Sequence, residues 1–246
     1  MRTAQPKLDV SHLSPNERAS RLCQHALELK DRGDYAGAQR VMRPLWKGLG
    51  ARPEIKGLHD SVTAEVLFCV GILTGWIGSK NEITWADDAA RDLLTESVTL
   101  FESVGDVKKV AEARTELAYC YWRAGALDEA RIMFNEALQK LTTAGNSRAN
   151  ALLGLSVVEW SDSRYDQALK ILTDNAPLFQ NITNHTIKGF YHNQYAMTLR
   201  GLATKENQTD YFQRAIAEYE KAEQEFKAAR NTVFRAHVKN NVGFLL

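Results

Sequence analysis

The 246-residue chain is short of cysteine and proline and has almost no surplus charge. Cys23, Cys69 and Cys120 are odd in number, far apart and without CxxC or CxxH spacing, so neither a disulfide framework nor a zinc site is indicated. Lysine and arginine number 31 against 30 acidic residues, for a net charge of +1, and no basic run of five or more occurs. A general electrostatic grip on nucleic acid or on an anionic membrane is therefore not expected. No apolar stretch reads as a membrane span, and the opening Met1-Arg2-Thr3-Ala4-Gln5-Pro6 lacks the apolar core of a secretion signal. The expectation is a cytoplasmic protein. Phosphate-loop patterns (GxxxxGKS/T, GxGxxG) and the HExxH and GxSxG motifs are all missing, so no catalysis and no cofactor are expected. His185 and His192 stand seven apart with no third ligand at metal spacing, which favours ordinary packing histidines over a metal site.

What the chain has in quantity is helix-forming sequence. Five prolines (Pro6, Pro15, Pro44, Pro53, Pro177) punctuate long runs rich in Ala, Leu, Glu, Lys and Arg, and nothing reads clearly as a strand. The best organised segment runs Ala111 to Gly125 and then Ala126 to Ala137, two helices meeting at a glycine. Ala118 in the first and Ala130, Phe134 and Ala137 in the second alternate small and large residues as a close helix crossing requires. The grammar recurs. Ala26 with Ala38, Ala118 with Ala130, and Ser156 with Ala168 are each twelve residues apart, while Gly71 with Ala90 and Ala196 with Ala215 are nineteen apart. The extra seven residues correspond to about one added turn on each of two antiparallel helices, at about 3.6 residues per turn, which keeps every apolar face in phase.

Local signals agree with this division. Ser14-Pro15-Asn16-Glu17 carries an N-cap serine, a first-turn proline and a capping-box glutamate, so the first helix is expected to begin at Pro15. Thr84-Trp85-Ala86-Asp87 offers a similar cap for the helix around Ala90. Residues 1–13 read as a flexible tail, and residues 14–246 as about five helix pairs followed by an unpaired helix around Gly243. That last helix, with Val242, Phe244 and Leu245 uncovered, suggests a chain truncated from a longer protein.

The helix-turn-helix units resemble tetratricopeptide repeats (TPRs), and their unequal lengths are most like the long repeats of bacterial regulators and kinesin light chains. The resemblance covers about Ala19 to Leu246. It implies an all-α, right-handed solenoid of stacked antiparallel helix pairs. The chain departs from the pattern at Glu159, where a large apolar residue is usual, and at Asn175, which replaces the last alanine of the fourth repeat.

In such repeats the first helix of each pair lines a concave groove. Groove positions fall one and four after, and three and six before, the central small residue. Carried onto this chain, those positions give an aromatic-rich groove of Phe68, Ile72, Tyr119, Trp122, Leu153, Val157, Trp160 and Phe190, with Asn193, Met197 and Arg200 towards its C-terminal end. A register shifted by one residue would make the same side chains core. The implied function is a non-catalytic protein-interaction scaffold that holds a peptide or amphipathic segment through aromatic anchors. The alternative is a ligand- or peptide-sensing regulatory module of a larger signalling or transcription-regulating protein. A homodimer, or a contact with a missing C-terminal region, is a further way to fill the groove.

Overall fold

The computed structural model describes residues 10–206 and 209–243, and among them it has helices and no strand. In chain order these are α1 (Pro15–Asp31), α2 (Tyr35–Met42), α3 (Asp60–Lys80), α4 (Ala86–Ser103), α5 (Val107–Arg123), α6 (Leu127–Lys140), α7 (Asn146–Ser161), α8 (Tyr165–Asp174), α9 (Ala176–Asn181), α10 (His185–Glu206), α11 (Thr209–Ala228) and α12 (Thr232–Gly243). Helices α1/α2, α3/α4, α5/α6, α7/α8 and α10/α11 pack as pairs, and α12 packs on α11. The first helices of successive pairs also touch one another, α1 to α3 to α5 to α7 to α10, which makes the architecture an all-α solenoid.

The pairs form where the repeat spacing places them. Ala26, Ala38, Ala90, Ala118, Ala130, Ser156, Ala168, Ala196 and Ala215 are all fully buried. At Gly71 an added Cβ would lie 2.8 Å from Leu94 Cγ, so no side chain fits at that crossing. The nineteen-residue spacing belongs to the long pairs, α3 and α4 with 21 and 18 residues and α10 and α11 with 22 and 20, against 17 and 14 in α5 and α6. At the start of α1, Glu17 N donates to Ser14 Oγ (3.4 Å) and Ser14 N donates to Glu17 Oε2 (3.0 Å), completing the expected capping box.

Several expectations need correction. Thr84 does not cap α4: its N-cap is Trp85, without a side-chain bond, and Asp87 turns instead to Arg123 of the next pair, with Nε to Oδ1 at 2.7 Å. The additional helix α9 arises because Pro177 suits a first helical turn and not the interior of a continuing α8. Its Phe179 is buried and stacks on Tyr191 at 4.3 Å between ring centroids. Helix α3, contrary to expectation, does have the length and composition of a membrane span; 78% of its most apolar window is buried inside the fold, as suits a helix packed against α1, α4 and α5. Of the expected tail, residues 1–9 lie outside the described part, and Val10 already packs on the first core cluster. Gly243 is exposed and a Cβ there would meet nothing, so it is not a crossing residue; Phe244, Leu245 and Leu246 lie outside the described residues.

The two odd residues of the fourth repeat have partners. Glu159, 6% exposed, accepts from Arg131 Nε of α6 at 2.6 Å, and Asp162 takes the same guanidinium at 2.6 Å. Asn175 Nδ2 donates to the Ile171 carbonyl at 2.8 Å, closing the end of α8.

Contacts between pairs rely on missing side chains as much as on present ones. A Cβ on Gly154 of α7 would sit 2.2 Å from the Phe134 ring of α6. Replacing a mid-helix glycine by alanine ordinarily stabilises by about 1 kcal/mol. Here Gly154→Ala is expected to destabilise by about 1–3 kcal/mol, the usual cost of overpacking. Urea unfolding in a double-mutant cycle with Phe134→Leu checks this: the alanine should cost much less once the ring is gone, and equal costs in both backgrounds would refute the contact.

Candidate functional site

Six first helices, α1, α3, α5, α7, α10 and α12, supply the inner face of the solenoid. Aromatic residues on them reach from one helix to the next. Tyr119 Oη donates to the Asn150 carbonyl (3.1 Å), Trp122 Nε1 to Ser161 Oγ (2.8 Å) and Trp160 Nε1 to the Met197 carbonyl (3.2 Å). These side chains join α5 to α7 and α7 to α10.

The expected open groove is correspondingly reduced. Phe68, Ile72, Tyr119 and Leu153 are 8%, 5%, 9% and 3% exposed and belong to the core clusters between pairs. At the positions one after and three before the central residue these four side chains are covered by the neighbouring pair, while Val157 and Met197 keep part of their surface. Trp122, Val157, Trp160, Phe190, Asn193, Met197 and Arg200 are half-buried. They are distributed along the stack. Trp122 lines an open hollow of about 510 Å³ at the helix ends, with Arg123, Asp87 and Ser161, whereas Phe190 and Asn193 line a separate cavity at the C-terminal end.

That second cavity, about 230 Å³, lies between α10, α11 and α12 and is walled by Phe190, Phe226, Phe234 and Val238, with Asn193, His237 and Asn241 as its polar groups. Phe190 and Phe234 meet edge to face at 4.6 Å, and Asn241 Nδ2 donates to Asn193 Oδ1 at a long 3.4 Å. An apolar wall beside two weakly engaged amides matches the two halves of a peptide residue, its side chain and its backbone.

Next to it, side chains from distant repeats converge. Lys30 Nζ of α1 sits 5.7 Å from the Trp76 ring of α3, and Trp76 lies 6.5 Å from Tyr119 and 6.4 Å from Phe234 of α12. Trp76 Nε1 is buried without a hydrogen-bond acceptor among the described residues. Burial alone would lower the Lys30 pKa, but Asp31, 2.8 Å away, and Glu116 together hold it above the ordinary lysine range. Burial raises the Glu116 carboxyl, and Lys30 and Arg123 offset this only in part. Glu116 Oε1 also accepts from Asn150 Nδ2 at 3.1 Å.

The offsets used on the sequence missed Trp76, Glu116 and Phe234. These stand five after Gly71, two before Ala118 and nine before Gly243, so their offsets differ by sevens. Seven residues are about two helical turns, and the stripe lies one position round the helix from the one chosen. The two histidines considered for a metal bond separately to carboxylates of α11, His185 to Glu225 and His192 to Glu218, both at 2.6 Å. All three cysteines are free and buried, and burial pushes the Cys120 thiol up to about 12.

No family model matches the chain, and no curated protein matches it by sequence. Solved structures do. Bacillus thuringiensis PlcR, in complex with the peptide PapR7 and DNA, is similar at a TM-score of 0.66 and 15% identity over 93% of this chain and 76% of that one. A Rap protein complexed with Competence and Sporulation Factor gives 0.63 and 11% over 94% and 71%. The kinesin light chain TPR-like repeats of Podospora anserina give 0.50 and 14% over 85% and 98%. The fold is TPR-like. At these identities the likeness to each neighbour concerns the TPR architecture and nothing finer.

The raised Glu116 pKa has a pH signature. Because the folded state holds this proton to higher pH than the unfolded chain, stability falls as pH rises from the ordinary glutamate value through the raised one. Glu116→Gln keeps an acceptor for Asn150 Nδ2 and should remove that fall, leaving the variant at least as stable as the parent at pH 7. Urea unfolding across pH 4–8 measures it; an unchanged slope would show that Glu116 is not the group responsible.

Proposed function

We propose that this TPR solenoid is a non-catalytic scaffold that holds a short peptide on its inner face, anchored at the C-terminal cavity. The observation that carries the reading is that cavity: phenylalanine walls beside the Asn193 and Asn241 amides. Two structural neighbours support the reading by what their complexes contain, PlcR with a peptide and Rap with Competence and Sporulation Factor. The PlcR complex also contains DNA, which favours as second reading a sensing module that passes peptide binding on to a regulatory output.

Of the expected partner-binding residues, Phe190 and Asn193 are assigned the anchoring role. Trp122 and Trp160, joined to the next helices by their indole N–H groups, are assigned to the scaffold.

The test is fluorescence anisotropy with a library of short labelled peptides, followed by variants. Phe190→Ala and Asn193→Ala should each weaken the best peptide about tenfold or more, the loss typical of an interface anchor. Far-ultraviolet circular dichroism should stay at parental helicity. A peptide whose affinity ignores both substitutions would place binding elsewhere, and a library without any binder would remove the proposal.

A further inference from the structure

The two ends of the described solenoid touch. The Asp31 carbonyl, at the C-terminal end of α1, accepts Thr186 Oγ1 of α10 at 3.0 Å and Asn231 Nδ2 at 2.9 Å. These donors lie 155 and 200 residues further along the chain. Asn231 is 1% exposed, and its other amide atom, Oδ1, accepts from Phe234 N at 3.1 Å and so starts α12. Gly33, at φ 75°, forms the facing turn, where an added Cβ would lie 3.0 Å from Asn231 Oδ1 and 3.4 Å from Val233 Cγ2. The edge of Trp76 against Phe234 completes the contact from the inside.

The character of this seam differs from that of the stack. Pairs within the stack meet through fully buried alanines and aromatic rings, whereas the seam carries two hydrogen bonds to one carbonyl, the approach of Gly33 to Asn231 and Val233, and one ring edge. A cavity of about 310 Å³ runs along it, with Asp31, Arg32, His185, Thr186 and Arg230 in its wall. A contact with so little apolar burial opens at a free energy far below that of the stack. Phe234 belongs both to the seam and to the peptide-anchoring cavity, so what opens one disturbs the other.

We infer that the Asp31–Thr186–Asn231 clasp makes the inner face a closed turn, entered at its mouths and not from the side, so that its ligand is a short peptide with free ends and not a segment inside a folded partner. The inference rests on the peptide-binding reading for the identity of the ligand. The clasp itself does not need it. A free peptide enters through a mouth; a loop anchored at both ends in a folded domain requires the clasp to open.

The experiment uses the full chain and thiol reagents of two sizes as probes, which the three buried native cysteines leave usable. A cysteine is placed on the inner face by Asn193→Cys, and a reference on the outer face by Ile132→Cys, where the parent side chain is 59% exposed. N-ethylmaleimide should label both sites at comparable rates, but a maleimide borne on the surface of a small folded protein should react at the inner-face thiol about tenfold more slowly than at the reference. The clasp is then broken by Asn231→Asp with Thr186→Val. The aspartate keeps the cap of α12 while removing the donor, and valine is close to isosteric, so helicity should be retained. Loss of two hydrogen bonds should raise the inner-face rate of the large reagent about fivefold or more and leave N-ethylmaleimide within about threefold. Equal rates for the large reagent at both sites in the clasped chain, or a rate unmoved by breaking the clasp, would overturn the proposal. Size-selective labelling without any bound peptide would leave the clasp standing and remove the peptide reading; peptide binding with unselective labelling would do the reverse.

Discussion

The structure depends on how closely two helices of a pair approach. The central residues of the paired helices are buried alanines, serine or glycine, as with Ala26 and Ala38 or Ala118 and Ala130. Small side chains there let the two helices approach closely, and the large residues beside them fill what remains. Once that distance is set, the tilt of each pair on the next follows from which bulky residue meets which gap. Phe134 over Gly154 and Tyr165 over Gly201 are such fits, each crowding the place of a Cβ. The curvature that brings α12 back to α1 is the accumulated result.

Curvature brings distant repeats together. No single repeat contains a recognisable constellation, and the inner-face cluster exists because Lys30, Trp76, Glu116 and Phe234, contributed by α1, α3, α5 and α12, arrive at one place. Its electrostatics are internally balanced. Lys30 has Asp31 and Glu116, and Arg123 has Asp87, so the concavity presents polarity without a strong net sign. This agrees with a chain whose total charge is +1.

Repeat spacing made the fold legible. Twelve- and nineteen-residue intervals located all five pairs because a crossing tolerates only small residues, and the Ser14 capping box located the first turn of α1. The candidate site was legible only in part. Phe190 and Asn193 line the cavity, but Phe68, Ile72, Tyr119 and Leu153 are packed between pairs, since an apolar side chain on a first helix satisfies the same pattern whether it faces the hollow or the next helix. Trp76 and Glu116 escaped because they occupy the stripe one position further round. The clasp had no local signal at all: nothing near Asp31 in the sequence announces a partner 200 residues away.

The two ends also show how the clasp and the C-terminal cavity are joined by direct contacts, without any long-range pathway. Asn231 uses its two amide atoms for different tasks, Oδ1 to begin α12 and Nδ2 to hold α1. Any rotation of that side chain that frees Asp31 disturbs the first turn of α12, where Phe234 sits one helical turn ahead of Val238. Phe234 in turn is wall to the cavity on one side and neighbour to Trp76 on the other. A ligand that fixes Phe234 therefore acts on the clasp through direct contacts, and its influence is bounded by the difference in its affinity for the closed and opened forms.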